Sequence, residues 1–428
     1  MGWAMFGTLL SLLALGVPIA VCIGFSSIVG ILAGPLPISP TVVGQRMFTA
    51  LDSFPFMAIP FFMLAGGLME HGGISKRLVR LASAMVGFLT GGLGLITVVA
   101  SAFFGAISGS NPATVAAIGG IMVPSMIKNK YPPAFAAATA AAAGTLGVII
   151  PPSIPMITYG VVAGVSIGDL FIMGITPGIL LAVALCASAS GMAKKLKVPT
   201  TGSFRPTELV TSFFEAILAL FMPLIILGGI YGGVFTPTES GAVACMYSFV
   251  VSTCIYREMS LEKLKKIIIG AGISTSIVFF VIACSQSFAW LLNVGKISAG
   301  IVTAMLSITS SSFGLIFLIN IVLLFLGIFL ETQAIILLVT PILLPVAASI
   351  GMDPLTLGII IIVNTSIGMI TPPMAVNLFV AQGLVREHNV KLEHITKYIL
   401  PYFVVSLAVV LLLSYVPIVS KWLLTVVR

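Results

Sequence analysis

The chain has 428 residues, of which 59% are hydrophobic and 7% charged, with 43 Gly and 25 Pro. A water-soluble domain carries about 25% charged residues, so this composition excludes one; about 20 apolar residues per crossing leave room for roughly a dozen membrane elements. The net charge of +8 rests on 20 basic and 12 acidic residues, clustered between apolar runs, which is a topology signal and not a nucleic-acid surface.

In chain order, the apolar run 3–33 has no basic segment before it and reads as a first span, with no cleaved signal peptide expected. A second span follows at 50–72. Ile74 to Leu93, with Lys76, Arg77 and Arg80 at its start, reads as an arm along the inner surface. The run 98–127 carries a polar centre, Ser108-Gly109-Ser110-Asn111-Pro112. Polar backbone at bilayer depth is tolerated only when it is buried in protein or lines a cavity, so this run is expected to enter and leave on one side as a re-entrant hairpin. Spans at 134–163 (broken at Gly144 to Pro152), 170–193, 213–234, 238–256 and 267–292 come next. Glu239, in Thr236-Pro237-Thr238-Glu239-Ser240, is expected to cap a helix. A second arm from Lys296 leads to a second hairpin, 320–349, with Glu331-Thr332-Gln333 at its centre; spans at 356–384 (broken at Thr365 to Pro373) and 398–425 close the chain.

The five cysteines lack metal or redox spacing and read as packing residues. No phosphate-binding GxxxxGK[ST] loop is present, and Glu387-His388 and Glu393-His394 lack the HExxH spacing of a zinc site. The chain is therefore not expected to be an enzyme, and its energy must come from an ion gradient or a partner.

One offset relates the two halves. Pro124 pairs with Pro345, Pro133 with Pro354, Thr145 with Ser366, Gly147 with Gly368, Pro151 with Pro372 and Pro152 with Pro373, each 221 residues apart. The loop after the first hairpin carries Lys128 and Lys130, whereas its partner at 349–353 has no basic residue. The next pair of loops reverses this: 164–169 has none, and its partner holds Arg386, Lys391 and Lys397. Basic residues mark the cytoplasmic side, so the repeats are expected to be inverted, with one extra span at 213–234 between them. Arg46, Lys421 and Arg428 fall on the wrong side of this scheme.

Inverted repeats with discontinuous helices are the build of secondary transporters. In each break the Pro-Pro pair cannot donate hydrogen bonds, which leaves carbonyls in need of a cation or water. Oxygen ligands suit Na+. One sodium site is expected from Ser110 and Asn111 with Gly147, Ile150 and Pro152, and a second from Gly327, Gly368, Thr371 and Met374. The alternative is a pair of proline kinks satisfied by neighbouring hydroxyls. Helix N-termini favour anions, which selects Ser110, Thr114, Ser153, Thr332, Asn364 and Thr365 as substrate contacts. Glu331 joins them, because an acid at membrane depth is functional by default.

The motifs SGSNPATVAAIG (Ser108 to Gly119), GVIIPPSI (Gly147 to Ile154), FTPTES (Phe235 to Ser240) and TPPMAVNLFV (Thr371 to Val380) together resemble the large membrane subunit, DctM-like, of tripartite ATP-independent periplasmic (TRAP) transporters. The resemblance implies an all-α polytopic membrane protein of the elevator type, in the ion transporter superfamily, set in the lipid of the bacterial inner membrane. It implies scaffold and arm at 1–97, a first transport half at 98–163, scaffold and arm again at 164–319, a second transport half at 320–385 and a final scaffold helix at 386–428. The implied activity is sodium-coupled import of a small organic acid, with a small four-helix membrane subunit and a periplasmic substrate-binding protein as partners. The small subunit is expected either as a separate polypeptide or as the other part of a fused one. Family substrates include C4-dicarboxylates, other carboxylates and sialic acid; Glu331, standing where a base would bind a second carboxylate, favours a hydroxyl-rich monocarboxylate such as sialic acid. The competing readings are a free-standing sodium/anion symporter and a channel.

Overall fold

The computed structural model describes residues 1–35, 37–198, 204–309, 311–373 and 375–427, and among them the regular structure is all helical. The first apolar run forms two helices, α1 (Gly2–Ala14) and α2 (Ile19–Leu32). Gly16, with φ +76°, and Pro18 interrupt it. The chain folds back so tightly that a Cβ on Gly30 would strike the Met5 side chain. The run 3–33 is thus a helix pair and not one span: at 1.5 Å per residue each arm is about 20 Å long, short of the ~30 Å hydrocarbon core.

After α3 (Thr41–Leu51) and a 3-10 turn (Phe54–Met57), α4 (Ala58–His71) leads through Gly73, at φ +80°, into the arm α5 (Ile74–Val86). The polar-tipped pair is α6 (Gly92–Ser108) and α7 (Asn111–Lys128). Next, α8 (Pro133–Gly144) unwinds through a 3-10 turn at Thr145–Val148, and the chain restarts as α9 (Ile154–Ala163). Then come α10 (Ile167–Lys195), α11 (Pro206–Tyr231) and α12 (Pro237–Val250). Thr236 and Glu239 form the expected capping box at the start of α12. The second half runs α13 (Leu261–Val294), the arm α14 (Ile297–Ile308), α15 (Ser312–Phe329), α16 (Thr332–Ser349), α17 (Pro354–Gly368) and α18 (Val376–Gly383). It ends in α19 (Leu392–Tyr415) and α20 (Ile418–Val427), which divide the expected last span at Pro417.

Seven of these segments are long and apolar enough to cross a membrane: Phe54–His71, α10, α11, α13, α15, α16 and α19. Burial separates two classes of helix. Phe135–Gly144 of α8 and Thr356–Gly368 of α17 are buried on every face. In contrast, α11 buries one stripe, Ser212, Ala216, Ala219, Met222 and Ile226, the three-to-four spacing of a helix packed on one side.

Contacts sort the helix ends into two groups. At one end Arg77 pairs with Glu258 at 3.0 Å and Arg80 with Glu215 at 2.6 Å, and the Phe135 and Tyr398 rings meet at 5.8 Å. At the other, Tyr159 Oη donates to Pro354 O at 2.6 Å and Tyr231 Oη to Gly168 O at 3.2 Å. The basic clusters at 76–80, 194–197, 257–266 and 386–397 flank the first end, whereas Arg46, Lys296 and Lys421 do not. Two of these have local partners: Lys421 pairs with Asp353 at 2.8 Å, and the Arg46 guanidinium lies 4.7 Å from the centre of the Trp290 ring. Arg428 lies outside the described residues.

Candidate functional site

The two tips meet the two helix breaks at the centre of the molecule. At the first tip α6 stops because Gly109 takes φ +60°, where a Cβ would also approach Ile154 N to 3.1 Å. Ser110 is extended, and Pro112 starts α7, a position where the missing N–H is no loss. Thr114 Oγ1 donates to Ser110 O at 2.8 Å and lies 3.0 Å from Ser108 Oγ. Asn111 is fully buried. Its Oδ1 accepts from Val148 N–H at 3.0 Å, and its Nδ2 donates to Ser366 Oγ at 2.7 Å. Ser366 Oγ in turn donates to Thr145 O at 2.8 Å. One amide thus ties the first tip to both broken helices.

Gly147 allows this approach, because a Cβ there would collide with the Ser110 carbonyl and lie 2.6 Å from Thr114 Oγ1. A Cβ on Gly109 would lie 3.5 Å from Pro152 O. Ser110, Asn111, Gly147 and Pro152 are therefore neighbours. Ile149 and Ile150 both donate to Leu146 O, and the prolines that follow have no N–H. No hydrogen bond among the described residues reaches the Gly147 or Ile150 carbonyl. The Ile150 side chain faces α10, at the spot where Gly178 leaves room.

In the second group Gly327 and Gly368 touch backbone to backbone, a Cβ on Gly368 falling 2.5 Å from Gly327 Cα. Here the expected free carbonyl is not free: Gly368 O accepts from Thr371 N–H at 2.9 Å. Thr371 Oγ1 donates to Ile367 O at 3.0 Å. Met374 lies outside the described residues.

Of the expected substrate contacts, Ser110, Glu331 and Thr332 line one narrow cavity of about 60 Å³ between the tips. Thr114 stands behind it, and Thr365 Oγ1 lies 3.3 Å from Thr332 Oγ1. Ser153 is spent locally, its hydroxyl donating to Val148 O at 2.6 Å across the break. Asn364 is elsewhere: its Nδ2 donates to Asn320 Oδ1 of α15 at 2.7 Å, and Asn320 donates to Ser414 of α19 at 3.1 Å.

Larger cavities flank this neck on either side. One, of about 320 Å³, lies between α4, α13 and the first tip and shares Met63, Ser110 and Ile154 with the neck. Glu70, His71 and Lys266 line it, toward the basic end. The other, of about 340 Å³, lies between the α1–α2 turn, α13 and the second tip and shares Val278, Glu331 and Gln333. Sequence reasoning missed Met63 and Val278, apolar walls with nothing to mark them. It missed Ser366 as a site residue too, although its match to Thr145 was in view. No group of acidic, His or Cys side chains suited to a metal occurs among the described residues.

Residues 6–419 match the family model described as tripartite ATP-independent periplasmic transporter, DctM component. The chain is 43% identical over 417 residues to the isethionate TRAP transporter permease protein DctMQ of Oleidesulfovibrio alaskensis, covering 96% of this chain and 65% of that protein. It is 35% identical to the C4-dicarboxylate large permease DctM of Rhodobacter capsulatus, over 97% of each chain. To the sialic acid large permease SiaM of Vibrio cholerae it is also 35% identical, over 95% of each. The chain thus spans just under two thirds of the isethionate relative and nearly all of the other two. Its fold is similar to the Alcanivorax borkumensis YdaH transporter, with a TM-score of 0.65 at 15% identity, covering 92% of this chain and 96% of that one. Neisseria gonorrhoeae MtrF gives 0.61 at 13%, covering 94% and 93%. With a match running through both tips and both breaks, the chain belongs to the DctM component family of tripartite ATP-independent periplasmic transporters, whose members are transport permeases and not enzymes.

Proposed function

We propose that the protein is the conducting subunit of a sodium-coupled importer of small organic anions in the bacterial inner membrane. The observation that carries this reading is the row of three cavities, joined through the two tips. The neck is too small for an organic acid, while its neighbours fall in the range of about 300–1,000 Å³ usual for ligand pockets. A path closed at its middle fits alternating access and does not fit an open channel. The basic end faces the cytoplasm.

Sodium binds where Ser110 O and Gly147 are forced together beside Pro152 O, and at the Gly327–Gly368 contact with Thr371; the free Gly147 and Ile150 carbonyls support the first site. The matched bounds of α7 and α16, 18 residues each and 221 apart, support the repeat, and the opposed loop charges support its inversion. Bonds across the halves, Asn111 to Ser366, Gln333 to Thr158 and Tyr159 to Pro354, support residues 98–163 and 320–385 moving as one elevator body. Helix α19, expected from the sequence as a final scaffold helix, is assigned in this proposal to the moving body, since Thr139 and Tyr402 bond at 2.9 Å. The scaffold is then 1–97 and most of 164–319.

A small membrane subunit and a periplasmic binding protein complete the complex; the extra length of the DctMQ relative fits a fused small subunit. The substrate is a hydroxylated monoanion of the sialic acid or isethionate kind, with Glu331 accepting from a hydroxyl. Uptake into liposomes holding both membrane subunits, with the binding protein outside, is expected to require external Na+ and to rise more steeply than first order in it. Equal uptake in choline or potassium would refute the coupling.

A further inference from the structure

Gln333 is part of the second tip and lines both the neck and the outer cavity. Its Nε2 donates to Thr158 Oγ1 of α9. Thr158 donates its own hydroxyl proton to Ile154 O at 3.2 Å, so toward Gln333 its oxygen can only accept. This fixes which way round the amide lies, a choice that the hydrogen-bond network must make: NH₂ toward Thr158, Oε1 away from it. The residue is 8% exposed, and Oε1 is buried with no partner among the described residues. Two residues earlier Glu331 borders the same two cavities and has no ion pair among the described residues. The side chains of Glu331 and Gln333 therefore present acceptors here, with no cation paired to Glu331 among the described residues.

Building on the importer reading above, we propose that Gln333 and Glu331 form a specificity pair for the end of the substrate remote from its acid group. The pair selects an anion bearing a hydroxyl or ammonium donor there and rejects a second carboxylate. An ionised carboxylate offers only acceptors; set against Glu331 and Oε1 it would meet like charge and satisfy neither. A ligand hydroxyl gives the buried Oε1 the donor it lacks. Sites built to bond a substrate hydroxyl discriminate strongly against analogues without it. Thr158 is a positioning residue, because it holds the amide in the selective orientation.

The test is thermal stabilisation of the full chain in lipid nanodiscs, in sodium, by paired probes: isethionate against ethanesulfonate, glycerate against propionate, with sialic acid and succinate added. The wild type is expected to respond to hydroxylated probes at concentrations at least about tenfold lower than to their deoxy partners or to succinate. Gln333→Met removes the acceptor and Thr158→Val frees the amide to turn; each is expected to bring the ratio within about twofold, a change that mere loss of packing would not make. Succinate or the deoxy probes acting as well as the hydroxylated ones on the wild type would overturn the proposal, as would ratios unchanged in both variants. If no probe binds in sodium, the importer reading itself falls, and the specificity pair with it.

Discussion

Asn111 accepts from Val148 N–H and donates to Ser366, so truncating it strands the buried Val148 N–H and takes a donor from Ser366 Oγ, which keeps its own bond to Thr145 O. Each buried polar group left unsatisfied costs about 1–3 kcal/mol. Asn111→Ala is therefore expected to lower the melting temperature of the purified protein even without sodium. Sequence reasoning placed this amide in a sodium site and had no view of its partners. An unchanged melting temperature with weaker sodium dependence would return it to the role of a ligand. Glu331→Gln is expected to express normally and to reduce uptake measured below half-saturation; wild-type uptake there would remove Glu331 from the substrate path. The tip residues were legible because Ser110, Glu331 and Thr332 interrupt apolar runs. Asn364 was misplaced for the same reason: a polar residue near a break looked like a ligand, while its partner Asn320 lies on another helix, 44 residues away.

Among the elements, the breaks depend on glycine more than on proline. A side chain at 147 would occupy the space of the Ser110 carbonyl, and overpacking of this kind costs about 1–3 kcal/mol or more. Gly147→Val is expected to abolish uptake and to destabilise the protein, whereas Gly120→Ala, which meets nothing within 4 Å, leaves both unchanged; equal behaviour of the two variants would refute the close approach. The second helix of each pair was legible to within a residue at its end, since the offset of 221 anchors both halves at prolines and glycines, whereas α6 and α15 start well before the expected 98 and 320. The first run was not. Hydropathy is blind to a chain reversal, and only Gly16 and Pro18 marked the fold-back of α1 and α2.

For the molecule as a whole, the charge pattern and the contacts agree on which loops share an end. A cysteine at Asn129 is expected to react with an impermeant thiol reagent only from the cytoplasmic side, and one at Met352 only from the outer side; labelling of both from one side would refute the arrangement. One of the exceptions that counted against this scheme, Lys421, has its charge met by Asp353. That pairing joins positions 68 residues apart, so no local pattern could have announced it.

The long helix α13 touches all three cavities: Ile267, Gly270 and Ser274 face the first, Val278 the neck, and Val281 the last. These residues recur every three or four positions and so form a single stripe. From 267 to 281 the stripe rises about 21 Å at 1.5 Å per residue. In the proposed transport cycle this stripe is a rail: an anion passing from the first cavity to the last would exchange one tip for the other yet travel beside the same helix throughout, so one wall of that pathway would be a single continuous piece of backbone.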